Sequence, residues 1–112
     1  MKKRLIAVLA LVAAVATAAI AVPAFAATKT VKVGPQVKFG TSRLSIKSGD
    51  TVKFQWTGSL PHNVRISKGP QRGTISRTRT SGTVSRRFTR TGTYTIVCDV
   101  HAPGMKMTVR VS

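Results

Sequence analysis

A single cysteine sets the first limit on what this chain can become. Cys98 has no partner in the sequence, so an internal disulfide cannot form. That matters because the chain carries the marks of export, and small exported domains commonly rely on disulfides. Lys2, Lys3 and Arg4 precede an apolar run from Leu5 to Val22, and Ala24-Phe25-Ala26 is a small-x-small cleavage box. The run is long enough to reach across a bilayer. It is alanine-rich, however, and the cleavage box follows at once. The expectation is a signal peptide over residues 1–26, removed to leave no transmembrane anchor. The protein would then be periplasmic, extracellular or associated with the cell envelope.

Ala27 to Ser112 is long enough for one small domain with a thin core. After Ala27 no helical period persists. Short runs alternate apolar and polar residues between Gly, Pro and Ser, which reads as an all-β sandwich or barrel. Expected strands are Thr30–Val33, Val37–Phe39, Arg43–Lys47, Thr51–Trp56, His62–Ser67, Thr83–Thr89, Thr93–Cys98 and Lys106–Val111. The period of two aims Val52, Phe54 and Trp56 inward, together with His62, Val64 and Ile66. Tyr94, Ile96 and Cys98 share a third inward stripe, and Met107, Val109 and Val111 a fourth. Arg65 points to water. Lys68 to Arg90 is basic, rich in Ser, Thr and Gly, and part of it reads as a long loop. Arg86 falls beside Arg87 on the inward parity of Val84 and Phe88, which calls for a bulge or a sheet edge.

His62 and Cys98 therefore sit at the ends of core-facing stripes. Both histidines and the one cysteine lie in two short clusters, Pro61-His62-Asn63-Val64 and Cys98-Asp99-Val100-His101-Ala102-Pro103-Gly104-Met105. A lone buried cysteine is ordinarily inert packing, and a lone histidine on an apolar stripe is ordinarily structural. Together they are a different matter. Two imidazoles, a thiolate and a weak thioether form the ligand set of a blue-copper electron-transfer site. Zinc could use the Cys and two His, but Met105 is a poor zinc ligand. Met107 competes with Met105 for the thioether role, and its parity assigns it to the core. No paired carboxylates, Ser–His–Asp set or phosphate loop is present, so an enzyme has little to stand on.

Across nearly all of the segment after Ala26 the chain resembles the cupredoxins, near the plastocyanin, amicyanin and pseudoazurin group. The resemblance rests on Gly49-Asp50-Thr51-Val52 leading to Trp56, on Pro61-His62-Asn63-Val64, on Gly92-Thr93-Tyr94, and on Cys98-x-x-His101 followed by Gly104-Met105. It implies a Greek-key β-sandwich and one type 1 copper that carries single electrons. It implies His62, Cys98 and His101 as strong ligands, Met105 as the axial ligand and Asn63 as the residue that orders the loop. His101 would present its edge to the surface as the electron exit. Val100 stands where the family often has proline, and three residues separate His101 from Met105. Asp99, beside the thiolate, is also unusual and is expected to face solvent.

The charge is extreme. The whole chain has 19 Lys and Arg against two acids. Such a surface favours acidic redox proteins as partners, with an anionic cell-envelope polymer as a further candidate, and it disfavours self-association, so a monomer is expected. Exported location and the shortage of exposed aromatics argue against specific nucleic-acid binding. Two other functions use the same features: copper buffering or delivery without electron transfer, and cationic envelope binding. Mass spectrometry of the protein exported from an expression host is expected to give a chain beginning at Ala27. A chain retaining Met1–Ala26 would overturn the signal assignment.

Overall fold

The computed structural model describes residues 25–112. The expected signal peptide lies outside them apart from its last two residues. Eight strands form: β1 (Thr28–Val33), β2 (Arg43–Ile46), β3 (Thr51–Trp56), β4 (His62–Lys68), β5 (Gly73–Arg79), β6 (Thr83–Arg87), β7 (Gly92–Val97) and β8 (Lys106–Val111). A three-residue 3-10 turn, Asp99–His101, separates β7 from β8. The strands make two sheets, one ordered β1-β3-β6 and the other β2-β8-β7-β4-β5. β1 pairs with β3 and β2 with β8 in parallel, while the remaining ladders are antiparallel. Parallel partners cannot be joined by a tight hairpin, so the chain passes repeatedly from one sheet to the other. The result is the cupredoxin-like sandwich expected from the motifs.

The inward stripes meet between the sheets. Val52, Phe54, Val64, Ile66, Tyr94, Ile96, Met107 and Val109 are all buried, as their parity requires. Phe88 packs its edge against Tyr94, with ring centroids 5.1 Å apart. The Tyr94 hydroxyl donates to the Arg90 carbonyl at 2.7 Å, so the core accepts a phenol without stranding a polar atom.

Two expectations need correction. Val37–Phe39 is not a strand; Phe39 makes only an isolated bridge to Val33. Within the basic stretch from Lys68 to Arg90, Gly73–Arg79 forms β5, a strand not among those expected. β5 escapes the alternation test because it is an edge strand with bulged pairing to β4, between His62 and Val64 and again between Val64 and Arg65. Only Ile75 and Ser76 among its middle residues turn substantially inward. The choice left open at Arg86 is decided. The β3–β6 ladder runs without a register shift, and β6 is the edge of its sheet.

Asp50 holds one end of the sandwich together. Its two carboxylate oxygens accept from the backbone N–H of Ala27 at 2.8 Å and of Lys47 at 2.9 Å. Thr51 N–H in turn donates to the Ala27 carbonyl, and Phe88 N–H to the Asp50 carbonyl, each at 2.9 Å. Gly49, at φ 97°, supplies the left-handed residue that this turn needs. The Ala27 and Lys47 N–H groups favour the carboxylate form and hold Asp50 below the ordinary 3.8. A depressed acid pKa contributes stability that is present above the unfolded value and is lost as pH falls through the folded one. Thermal stability is therefore expected to fall as pH drops below the ordinary carboxylate range. Asp50→Asn is expected to lower stability at neutral pH and to flatten that acid dependence; an unchanged acid profile would refute the role assigned to Asp50.

Candidate metal centre

β4 delivers His62 at its first residue, and β7 delivers Cys98 just past its last. Both side chains are fully buried, at 0% exposure. The turn after Cys98 brings His101 back to the same point. Its geometry is set by main-chain bonds: His101 N–H donates to the Cys98 carbonyl and Met105 N–H to the His101 carbonyl, each at 3.3 Å. Cys98 N–H donates to the Met105 carbonyl at 3.0 Å and closes the loop. Met105 is buried at the start of the return into β8, while Met107 lies in β8 opposite Ile96, in the core as expected.

The donor atoms converge. His62 Nδ1 lies 3.1 Å from His101 Nδ1 and 3.9 Å from Cys98 Sγ, and His101 Nδ1 lies 3.6 Å from the same sulfur. A point equidistant from all three lies about 2.1 Å from each, the length of a metal–imidazole bond. No other group of three His, Cys, Asp or Glu side chains could hold a metal among the described residues. The donor set is soft sulfur plus borderline nitrogen, which suits copper in both oxidation states. Burial, and then the charge on His101, push the His62 pKa below the ordinary 6.5. His62 is thereby kept neutral, with a lone pair free for a metal.

The scaffold around His62 is close-fitting. Trp56 donates its indole N–H to the His62 carbonyl at 3.0 Å. Gly34, in the loop after β1, backs the imidazole. A Cβ there would stand 3.3 Å from His62 Nε2 and 2.5 Å from the Thr57 carbonyl oxygen, so only glycine lets the loop approach. His62 Nε2 is buried with no partner. The ring is therefore positioned by packing and by whatever its Nδ1 holds.

A family model described as copper binding proteins, plastocyanin/azurin family, matches residues 26–112. The chain belongs to that family. Its cofactor is copper, and the convergence of His62, Cys98 and His101 beside Met105 has the form of a type 1 site. Solved cupredoxin structures are similar to it. A mutant of amicyanin in its reduced state is 30% identical over 76% of this chain and 82% of its own, with a TM-score of 0.66. Amicyanin from Paracoccus versutus (Thiobacillus versutus) is 29% identical over 82% of this chain and 86% of its own, with a TM-score of 0.65. The search of curated proteins found no match.

One element of the centre was not visible in the sequence. Asp99 is exposed to solvent, as expected, but it also reaches across to β4. Its carboxylate accepts from Arg65 Nε at 2.9 Å, Arg65 Nη2 at 2.7 Å and Asn63 Nδ2 at 2.8 Å. The Asp99 backbone N–H donates to Asn63 Oδ1 at 2.7 Å. Asn63 and Asp99 thus clasp each other reciprocally, and Arg65 grips the acid with two parallel bonds. Arg65 first, and then Asn63, hold the Asp99 carboxyl at about 2, so it stays ionised and partnered. Asn63 and Arg65 lie two apart on one strand face, which the alternation does show. Their partner lies 34 residues from Arg65, and no local pattern connects them.

The clasp fixes the residue next to the thiolate. Arg65→Met is expected to speed amide exchange at Asp99–His101 and alkylation of Cys98 in the metal-free protein, with the β-sheet amides unchanged. Unaltered exchange in the turn would show that Arg65 is a solvated surface charge.

Proposed function

We propose that this is an exported small blue copper protein that carries single electrons between larger redox partners. His62, Cys98 and His101 are its strong ligands, Met105 is its axial ligand, and Asn63 orders the loop between them. The observation that carries the reading is the triangle of His62 Nδ1, His101 Nδ1 and Cys98 Sγ, sized for one metal ion and built on rigid strand ends. Copper supplies reversible one-electron chemistry at this site. The protein's share is to hold the donors so that little moves between Cu(II) and Cu(I). Strand pairing on both sides, the closed 98–105 loop and the Asn63–Asp99–Arg65 clasp all serve that end.

His101 is the exit. It is half-buried, unlike His62 and Cys98. Its neighbours in the loop, Val100, Ala102 and Pro103, are exposed, as are Leu60 and Pro61 just before His62. An apolar rim around an imidazole edge suits brief contact with a redox protein, since water leaves such a surface at little cost. The same rim gives a copper-delivery role no support, because it adds no further metal-binding side chain along which an ion could pass. Acidic redox proteins are the partners that the net charge favours. The carrier acts outside the cytoplasmic membrane as a monomer, and no helix among the described residues is long and apolar enough to cross a membrane.

Addition of Cu(II) to the purified domain is expected to give an intense blue thiolate-to-copper band that bleaches with ascorbate and returns on reoxidation. Cys98→Ser is expected to abolish the band and leave the fold intact. A stable colourless complex, or a blue form that releases its copper on reduction, would replace the electron-carrier reading with copper buffering or delivery.

A further inference from the structure

The cations are not spread evenly between the two ends of the sandwich. One end is the copper end, where β3 and β7 finish at Trp56 and Val97 and β4 and β8 begin at His62 and Lys106. At the opposite end β3 and β7 begin and β4 finishes. The register fixes the rest: Thr51 lies beside Thr28 and Arg87, and Gly92 lies beside Val111. Seven exposed cations gather at this far end: Lys29, Lys47, Lys68, Arg72, Arg87, Arg90 and, beside Thr93, Arg110. Two of them are braced, Arg87 Nε by the Gly49 carbonyl at 3.1 Å and Arg90 Nη1 by the Pro70 carbonyl at 3.0 Å, and neither makes another side-chain hydrogen bond among the described residues. The one acid here, Asp50, is buried, with both oxygens taken by backbone N–H groups. The only ion pair between side chains among the described residues, Arg65–Asp99, is on the copper half. The copper half has free cations too (Lys32, Lys38, Arg77 and Lys106), but its loops also carry the exposed Val37, Leu60 and Val100.

The length of the strands separates the two ends by roughly 20 Å, more than twice the distance over which salt screens a charge at physiological ionic strength. Far-end cations therefore contribute little to steering a partner toward His101. Their placement suits a contact that persists while the copper end stays free. We propose that the far end is a docking surface for a linear polyanion of the cell envelope, a polymer carrying repeated phosphate or other oxyanion groups. Arginine forks grip oxyanions with paired bonds, and lysines add point charge. An anionic lipid surface fits less well. Membrane-bound helices and loops add apolar side chains to their cations, and the one exposed aromatic near this end, Phe25, lies in the segment expected to be removed. The inference deepens the carrier reading but does not need copper to be tested.

The test is titration of the full processed protein, in metal-free and copper-loaded forms, with long-chain inorganic polyphosphate at low salt. Backbone amide shifts are expected at residues 47–49, 68–72 and 87–92, with those at 99–104 unmoved. Two variants of equal charge change provide the contrast: Lys29→Gln, Lys47→Gln, Lys68→Gln and Arg72→Gln together, against Lys32→Gln, Lys38→Gln, Arg77→Gln and Lys106→Gln together. The first set is expected to weaken binding about tenfold more than the second. Equal weakening, shifts centred on 99–104, or tighter binding to anionic phospholipid vesicles than to polyphosphate would each overturn the proposal. Loss of polyphosphate binding with an intact blue site would refute the docking surface alone, and a colourless protein that still binds polyphosphate would refute the carrier reading alone.

Discussion

The hydrogen bond from Cys98 N–H to the Met105 carbonyl is the tie on which the centre depends. It shuts the loop between β7 and β8 at its own base. Three of the four metal-facing side chains are then carried by one short closed segment, and only His62 comes from elsewhere. β7 pairs with β8 on one side and with β4 on the other, so the same sheet sets the height of all four. A shift of one residue in the β4–β7 register would turn His62 outward and bring Asn63 in. The buried stripes of Val64 and Ile66 against Ile96 oppose that slip, since it would also expose the core they fill. The apolar packing of the middle of the sandwich therefore protects the polar chemistry at its end.

Charge organises the rest. With so many cations and two acids, most positive groups have no local counter-ion, and the fold uses each acid where it counts most. Asp50 joins the start of β1 to the turn before β3. Asp99 joins the copper loop to β4. Both work by accepting backbone or side-chain N–H groups in fixed directions, which matters more for order than bulk attraction in water. The remaining cations stay free for partners, and their bias toward the end away from His101 divides the surface into an apolar exchange face and a basic one.

Much of this was readable beforehand because β-strand parity is a local property. Val52-Phe54-Trp56 and Tyr94-Ile96-Cys98 declare their faces in six residues, and the sequence spacing Cys98-x-x-His101 fits a single turn. β5 was not readable. Its residues are mostly polar, it lies at an edge, and two register shifts in its pairing with β4 break the period of two. Val37–Phe39 erred in the other direction: alternation was present, but the segment meets β1 only through the single bridge of Phe39 to Val33, so no ladder forms.

The sequence by itself determined the donor set, the inward parity of His62 and Cys98, the all-β class and the excess of positive charge, since each depends on residue type and short spacing. Only the tertiary structure decided that the two imidazole Nδ1 atoms and the thiolate close to within bonding distance of a single ion, that Asp99 on the surface meets Arg65 and Asn63, that Gly34 must lack a side chain to back His62, and that the cations concentrate at one end. Those outcomes depend on strands far apart in the chain being placed side by side, and the register that places them is fixed by the packing of the whole core.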